Sequence, residues 1–154
     1  MQDFRIVEME DLSGDKAKIY SIILDGDDDT LLEQFLEENR QYREDLSKIV
    51  RMIHEMADST GCRRFFFKEG EGRLGDGMVA LNYTGLLRLY GIYFNNTVVL
   101  FGSGGLKPPE VKSWQDSPEL RPKAEQMEKI AAEINRRIKD KELKILPNGT
   151  LLEL

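Results

Sequence analysis

The chain has 154 residues, 40% of them apolar and 32% charged, with a formal net charge of −6. This length and apolar content suit one domain with its own core, so residues 1–154 are predicted to form a single domain. No apolar run approaches the roughly 18 residues of a membrane span. The acidic start does not fit a secretory signal, and the single cysteine, Cys62, favours a reducing compartment. These features predict a cytoplasmic protein with no membrane partner.

The negative charge is concentrated at the front of the chain. Residues 1–45 carry 14 acidic and 5 basic residues, whereas residues 46–154 carry 14 acidic and 17 basic residues. The overall acidity argues against broad nucleic-acid binding, which needs clustered Lys and Arg. The slightly basic remainder still allows an anionic ligand.

The first half of the chain predicts two strands followed by two helices. Residues 4–9 alternate weakly, residues 16–24 are rich in Ile and Tyr, and the turn residues between them indicate an antiparallel pair. Thr30 and Glu33 form a capping-box pattern at the start of a helix. Residues 41–58 have apolar residues at helical spacing and predict a longer helix. The acidic turn before Thr30 lacks the spacing of an EF-hand, so no metal site is predicted there.

The second half predicts four strands and a closing helix. Strand-like segments occupy residues 63–68, 78–82, 86–94 and 97–101, a helix spans residues 119–141, and a tail follows over residues 143–154. We expect the tail to add an edge strand. The predicted fold class is therefore α+β, with a single antiparallel sheet and the element order β-β-α-α-β-β-β-β-α.

A two-residue turn at Asn95-Asn96 is predicted to join the last two strands into a hairpin, because asparagine tolerates the positive φ of such turns. This register would place Arg88 opposite Ser103. Both faces of the hairpin are apolar, which predicts central strands and makes Arg88 an exceptional charge. Its head group would either pair with an acid such as Asp76 or contact an anion, most naturally a phosphate.

The hairpin leads into a glycine-rich run from Gly102 to Gly105, with Lys107 just beyond it. The run has neither Walker nor Rossmann spacing. Its glycines would therefore bring the backbone close either to a neighbouring element or to a ligand. Earlier in the chain, three consecutive phenylalanines at residues 65–67 predict strand core, and they would form a base-stacking platform only if one ring is exposed.

Several short segments follow one another in a recognisable order. They are Leu-Gly-Asp-Gly-Met-Val-Ala-Leu at residues 74–81, Leu-Arg-Leu-Tyr at 87–90, Val-Val-Leu-Phe-Gly at 98–102, and then Lys107. This order resembles the RelE/HigB-like toxins, and more closely their phage-derived branch. The resemblance covers roughly residues 16–140, which would form the toxin-like core, with residues 143–154 as a C-terminal tail.

The resemblance implies a RelE-like fold and the toxin role in a bacterial type II toxin–antitoxin pair. Such toxins are ribosome-associated endoribonucleases that cleave mRNA by metal-free attack of a ribose 2′-OH on the adjacent phosphate, which needs a base, an acid and cations. The expected partners are a helix-turn-helix antitoxin and the mRNA on the ribosome, and no cofactor or metal is expected. By position, the resemblance implies catalytic roles for Arg88, Lys107, Arg73 and Tyr90, and RNA contacts by Lys112, Ser103 and Lys68. The alternative for Tyr90 is a place in the core.

Two alternatives stay open. Many relatives carry a His or a second Lys just after the apolar strand, where this chain has Gly102 and Ser103, and its only histidine, His54, lies on a helix flank. A non-catalytic protein-binding module could therefore retain the same fold. A small-molecule enzyme is the second alternative, which a deep apolar pocket at the glycine-rich run would favour.

Overall fold

A computed structural model describes residues 3–69, 77–107 and 117–154 of the chain. Its helices are α1 (Leu31–Glu38), α2 (Arg43–Glu55), which continues into a π-helical turn (Met56–Thr60), and α3 (Leu120–Lys139). The two predicted front helices and the closing helix are thereby confirmed. Within these described ranges, no helix is both long and apolar enough to cross a membrane.

Six strands form the main sheet, in the order β1-β2-β6-β5-β4-β3. Their bounds are β1 (Phe4–Glu8), β2 (Lys18–Leu24), β3 (Phe67–Lys68), β4 (Met78–Leu81), β5 (Leu87–Asn95) and β6 (Val98–Leu106). The element order up to α3 is the predicted one. The glycine-rich run is not a loop after the hairpin, because it forms the second half of β6.

The prediction of a single antiparallel sheet is wrong in one strand pair. Strand β2 runs parallel to β6, with Lys18 beside Val98 and Tyr20 beside Leu100, while the other pairs of the main sheet are antiparallel. A parallel pair needs a long crossover connection. The chain between β2 and β6 supplies one, since it contains both front helices and three further strands. The sheet is therefore mixed.

Helices cover both faces of the main sheet. On one face, Tyr90, Ile92 and Leu100 pack with the apolar side of α3. On the other face, Leu89 and Phe101 pack with the apolar sides of α1 and α2. The alternation of side chains along β5 and β6 thus fills two cores. The prediction that these are central strands with two apolar faces is confirmed.

The start of α1 shows the predicted capping box. The Thr30 hydroxyl accepts the backbone N–H of Glu33 at 3.1 Å, and the Glu33 carboxylate accepts the backbone N–H of Thr30 at 2.9 Å. A cap of this kind stabilises a helix by about 1 kcal/mol. The buried hydroxyl of Ser21 on β2 also accepts the N–H of Leu32 at 3.2 Å, which ties the helix start to the sheet.

The segment at residues 63–68 and the C-terminal tail differ from their predictions. Half of the first is a 3-10 turn (Arg64–Phe66), and only the two residues of β3 pair with β4. The tail is not an edge strand of the main sheet, because it folds into a separate hairpin of β7 (Leu143–Ile145) and β8 (Leu151–Glu153). This hairpin docks on the α3 face, where the N–H of Leu151 donates to the Tyr20 hydroxyl at 3.1 Å.

Candidate functional site

The β5–β6 hairpin has a different register from the predicted one. Its two-residue turn is Asn96-Thr97, and the Asn95 side chain accepts the N–H of Thr97 at 2.8 Å. Two irregularities follow, one beside Phe94 and one where two residues of β6 oppose one of β5. The two irregularities cancel each other in the register, so it is the turn, one residue later than predicted, that places Arg88 opposite Gly105 instead of opposite Ser103. The predicted Arg88–Ser103 pair is therefore wrong.

Arg88 is a buried charge on the face of the sheet that α3 covers. Its neighbours Leu87 and Leu89 belong to the core beneath α1 and α2, so the alternation of the strand directs Arg88 to the other face. Its residue is only 7% exposed. A guanidinium in such a low-dielectric position interacts more strongly with an anion than an exposed one does.

The glycines of β6 allow close packing around this charge. A Cβ at Gly104 would overlap the backbone carbonyl of Arg88, and a Cβ at Gly102 would overlap the sulfur of Met127 on α3. At Gly105 the same atom would lie 3.0 Å from a carboxylate oxygen of Glu119. Of the two predicted uses of this run, the structure therefore shows close approach to neighbouring elements.

Glu119 is a polar neighbour of this site that the sequence reasoning did not single out. It precedes α3, and its carboxylate accepts the backbone N–H of Leu106 at 3.1 Å. Directly opposing residues of a strand pair share a face. Arg88 opposes Gly105, and a Cβ at Gly105 would point toward this carboxylate. The Arg88 side chain therefore leaves the sheet on the face where the Glu119 carboxylate lies. A carboxylate at a helix start, just after a glycine-rich strand, is the signal that could have pointed to it.

Two other predicted site residues lie in the interior. Tyr90 is fully buried in the core beneath α3. Ser103 is buried as well, and its hydroxyl lies 3.3 Å from the side-chain oxygen of Gln126 on α3. Both side chains are therefore packed in the interior.

The remaining predicted cations are dispersed. Lys107 is half-buried just beyond β6, and its backbone N–H donates to Leu86 at 2.8 Å. Lys68 is exposed on the edge strand β3, two strands away from Arg88, although on the same face of the sheet. Arg73 and Lys112, like the acid Asp76, lie outside the described residues. Of the catalytic set, the structure brings Arg88 and Lys107 to one end of the hairpin.

The three phenylalanines at residues 65–67 divide between core and surface. Phe66 and Phe67 are buried as predicted, but Phe65 is 63% exposed. The guanidinium of the neighbouring Arg64 lies 5.7 Å from the centre of the Tyr93 ring. The condition for a base-stacking surface, one exposed ring, is therefore met at Phe65.

The other groups that could carry chemistry are structural. Burial raises the pKa of the Cys62 thiol to about 12, so this side chain stays protonated at neutral pH. Burial also raises the pKa of the Tyr83 hydroxyl, so this group stays neutral. Its oxygen accepts the backbone N–H of Leu87 at 2.8 Å. Across residues 3–69, 77–107 and 117–154, no group of three His, Cys, Asp or Glu side chains could hold a metal ion.

No family model, no curated protein and no solved structure matches this chain.

Proposed function

We propose that this chain is the toxin of a bacterial type II toxin–antitoxin pair and that it cleaves mRNA on the ribosome without a metal. The observation that carries the proposal is that Arg88, Glu119 and Lys107 all lie at one end of the β5–β6 hairpin. These residues supply two cations and one carboxylate, which are the groups that metal-free RNA cleavage needs. The resemblance in segment order gives independent support.

In the proposed reaction, Glu119 takes the proton of a ribose 2′-OH. The 2′-oxygen then forms a bond to the adjacent phosphorus, and the bond from phosphorus to the 5′-oxygen breaks. Lys107 supplies the proton that the leaving 5′-oxygen takes, and Arg88 stabilises the charge on the phosphorane. The products are an RNA end with a 2′,3′-cyclic phosphate and a second fragment with a 5′-hydroxyl.

The first test is induced expression of the chain in a bacterium, with growth as the measurement. The second is an assay of RNA cleavage by the purified protein in the presence of a metal chelator. We expect arrested growth and cyclic-phosphate ends from the unaltered chain, and neither from Arg88→Ala. Arg121→Ala is the matched control, because Arg121 is an exposed arginine of α3 that pairs only with Glu125 among the described residues. Unhindered growth with the unaltered, folded protein would refute an active toxin.

The second candidate is a protein-binding module that keeps the fold without catalysis. It is favoured by the burial of Arg88, Tyr90 and Ser103 and by the packing of α3 against the glycines. This candidate predicts that the folded protein leaves RNA intact and still forms a stable complex with the product of the adjacent gene. RNA cleavage by the unaltered, folded chain separates the two, and circular dichroism of Arg88→Ala shows whether a loss of cleavage in that variant comes from a loss of folding.

A further inference from the structure

A cleft of about 500 Å³ lies at the C-terminal end of α3, against the β7–β8 hairpin. Six residues line it, four of them apolar and two of them lysines: Ile138, Lys141, Leu143, Lys144, Ile145 and Leu154. Because α3 has 20 residues, the cleft lies about 30 Å from Glu119 at the other end of the helix. It therefore belongs to a different part of the molecule from the proposed catalytic groups.

The cleft runs along the edge of β7. Leu143, Lys144 and Ile145 are successive strand residues, and successive side chains point to opposite faces. A cleft that all three line reaches both faces of the strand and so passes around one of its edges. In the part of the chain that the structure describes, β8 is the only strand paired with β7. The other edge of β7 therefore presents backbone groups that a further strand could pair with.

The side chains that line the cleft carry a positive charge. No acidic residue is among the six that line it. The acids on either side of Lys141 are both engaged by Arg136, which binds Asp140 at 2.9 Å and Glu142 at 2.8 Å. Among the described residues, neither Lys141 nor Lys144 forms an ion pair. An acidic ligand would complement these two lysines.

Lys141 also has an unfavourable backbone conformation. Its φ is 63°, and it is the only described residue other than glycine with positive φ. It occupies the left-handed position after α3, where the N–H of Glu142 donates to Arg137 at 2.7 Å and that of Lys141 donates to Ile138 at 3.1 Å. Glycine is the usual residue there, because a side chain with a Cβ atom is disfavoured in the left-handed conformation. A strained residue whose side chain lines a cleft indicates a role for that side chain.

We propose that this cleft binds an extended peptide segment in which apolar and acidic residues alternate, and that the segment pairs with β7 as a third strand. The apolar side chains would enter the cleft between Ile138 and Leu154, which is 73% exposed. The acidic side chains would reach Lys141 and Lys144. A peptide fits better than a fatty acid, because only a peptide satisfies the backbone groups along the edge of β7. This proposal does not depend on RNA cleavage.

The test uses a fluorescein-labelled heptapeptide, Glu-Val-Glu-Leu-Glu-Val-Glu, and measures its binding to the full chain by anisotropy. We expect saturable binding that weakens at least tenfold when Lys141→Glu and Lys144→Glu are combined. Lys139→Glu is the matched control, because Lys139 is an exposed lysine of the same turn that does not line the cleft. A peptide of the same sequence with alternate amides N-methylated should not bind.

A second variant separates binding from folding. Lys141→Gly removes the strained conformation, so it should raise the unfolding temperature while it weakens peptide binding several-fold. Four outcomes would overturn the proposal. The first two are equal binding of the N-methylated peptide and an equal loss of binding with Lys139→Glu. The third is tight binding of dodecanoate by a protein that does not bind the peptide. The fourth is no saturable binding up to about 1 mM peptide, which corresponds to a binding free energy of about −4 kcal/mol.

Discussion

The two ends of α3 place charged side chains in opposite surroundings. At the N-terminal end, Arg88 is buried opposite Gly105, and glycines let the helix and the strands approach closely. At the C-terminal end, Lys141 and Lys144 are exposed beside an open apolar cleft. Buried charges are held in one geometry, which suits chemistry, whereas exposed charges can adapt to a partner. Four changes test this contrast.

The largest expected effect comes from Gly104→Ala at the closely packed end. The added Cβ would overlap the backbone carbonyl of Arg88, which cannot move without shifting β5. We expect a loss of about 3 kcal/mol in the free energy of unfolding. Gly105→Ala is the control, since its Cβ would meet the flexible side chain of Glu119 at 3.0 Å. Urea denaturation measures both, and equal stability of the two variants would contradict the close packing.

Glu119→Gln tests whether the buried end carries chemistry. The amide oxygen can still accept the N–H of Leu106, so we expect the free energy of unfolding to stay almost unchanged. Loss of the carboxylate as base should lower RNA cleavage by about 100-fold or more, the usual contribution of a general base. Full cleavage by Glu119→Gln would remove Glu119 from the proposed mechanism and leave the structural role of its hydrogen bond.

The ion-pair cluster beside the cleft should give a smaller, pH-dependent effect. Hydrogen bonds from Arg136 and Arg137 lower the pKa of Glu133 to about 2, and Arg136 also lowers that of Glu142. A carboxyl group whose pKa is lower in the folded protein than in the unfolded chain stabilises the fold at pH values above its unfolded pKa. This contribution is lost as pH falls from about 4.5 to about 2. Arg136→Met should therefore unfold at lower temperature than the unaltered protein near neutral pH. The difference should shrink through that acid range, and a constant difference would contradict it.

The smallest expected effect is a gain in stability from Lys141→Gly. Removing the side chain relieves the left-handed conformation, which is worth about 1 kcal/mol, and part of this gain is offset by the flexibility of glycine in the unfolded chain. Thermal unfolding should show a rise of a few degrees. A fall would mean that the Lys141 side chain contributes packing that outweighs the strain.

Local features of the fold could be predicted from the sequence. The capping box of Thr30 and Glu33, the helical spacing of α2 and α3, and the two apolar faces of the hairpin all depend on residues close together in the chain. The parallel pairing of β2 with β6 could not, because it joins segments separated by both front helices. The β-strand propensity of a segment does not indicate which edge of β2 a distant strand will pair with.

The candidate site was harder to predict for a related reason. Arg88 was identified because a charge in an apolar strand is exceptional, but its neighbour was wrong because the turn is Asn96-Thr97 and not Asn95-Asn96. Adjacent polar residues at a hairpin tip fit either turn position, so the local pattern does not fix the register. Glu119 was missed since its contact with Leu106 depends on where α3 begins relative to the end of β6.

The parallel pair of β2 and β6 also determines the order in which the sheet can form. Strands β1 and β2 lie near the start of the chain and can pair as soon as both have been synthesised. The other edge of β2 has no partner until Val98 and the residues after it have left the ribosome. During that interval the nascent chain exposes an apolar strand edge, so ribosome-bound chains that stop before residue 98 should bind chaperones more strongly than chains that extend past β6.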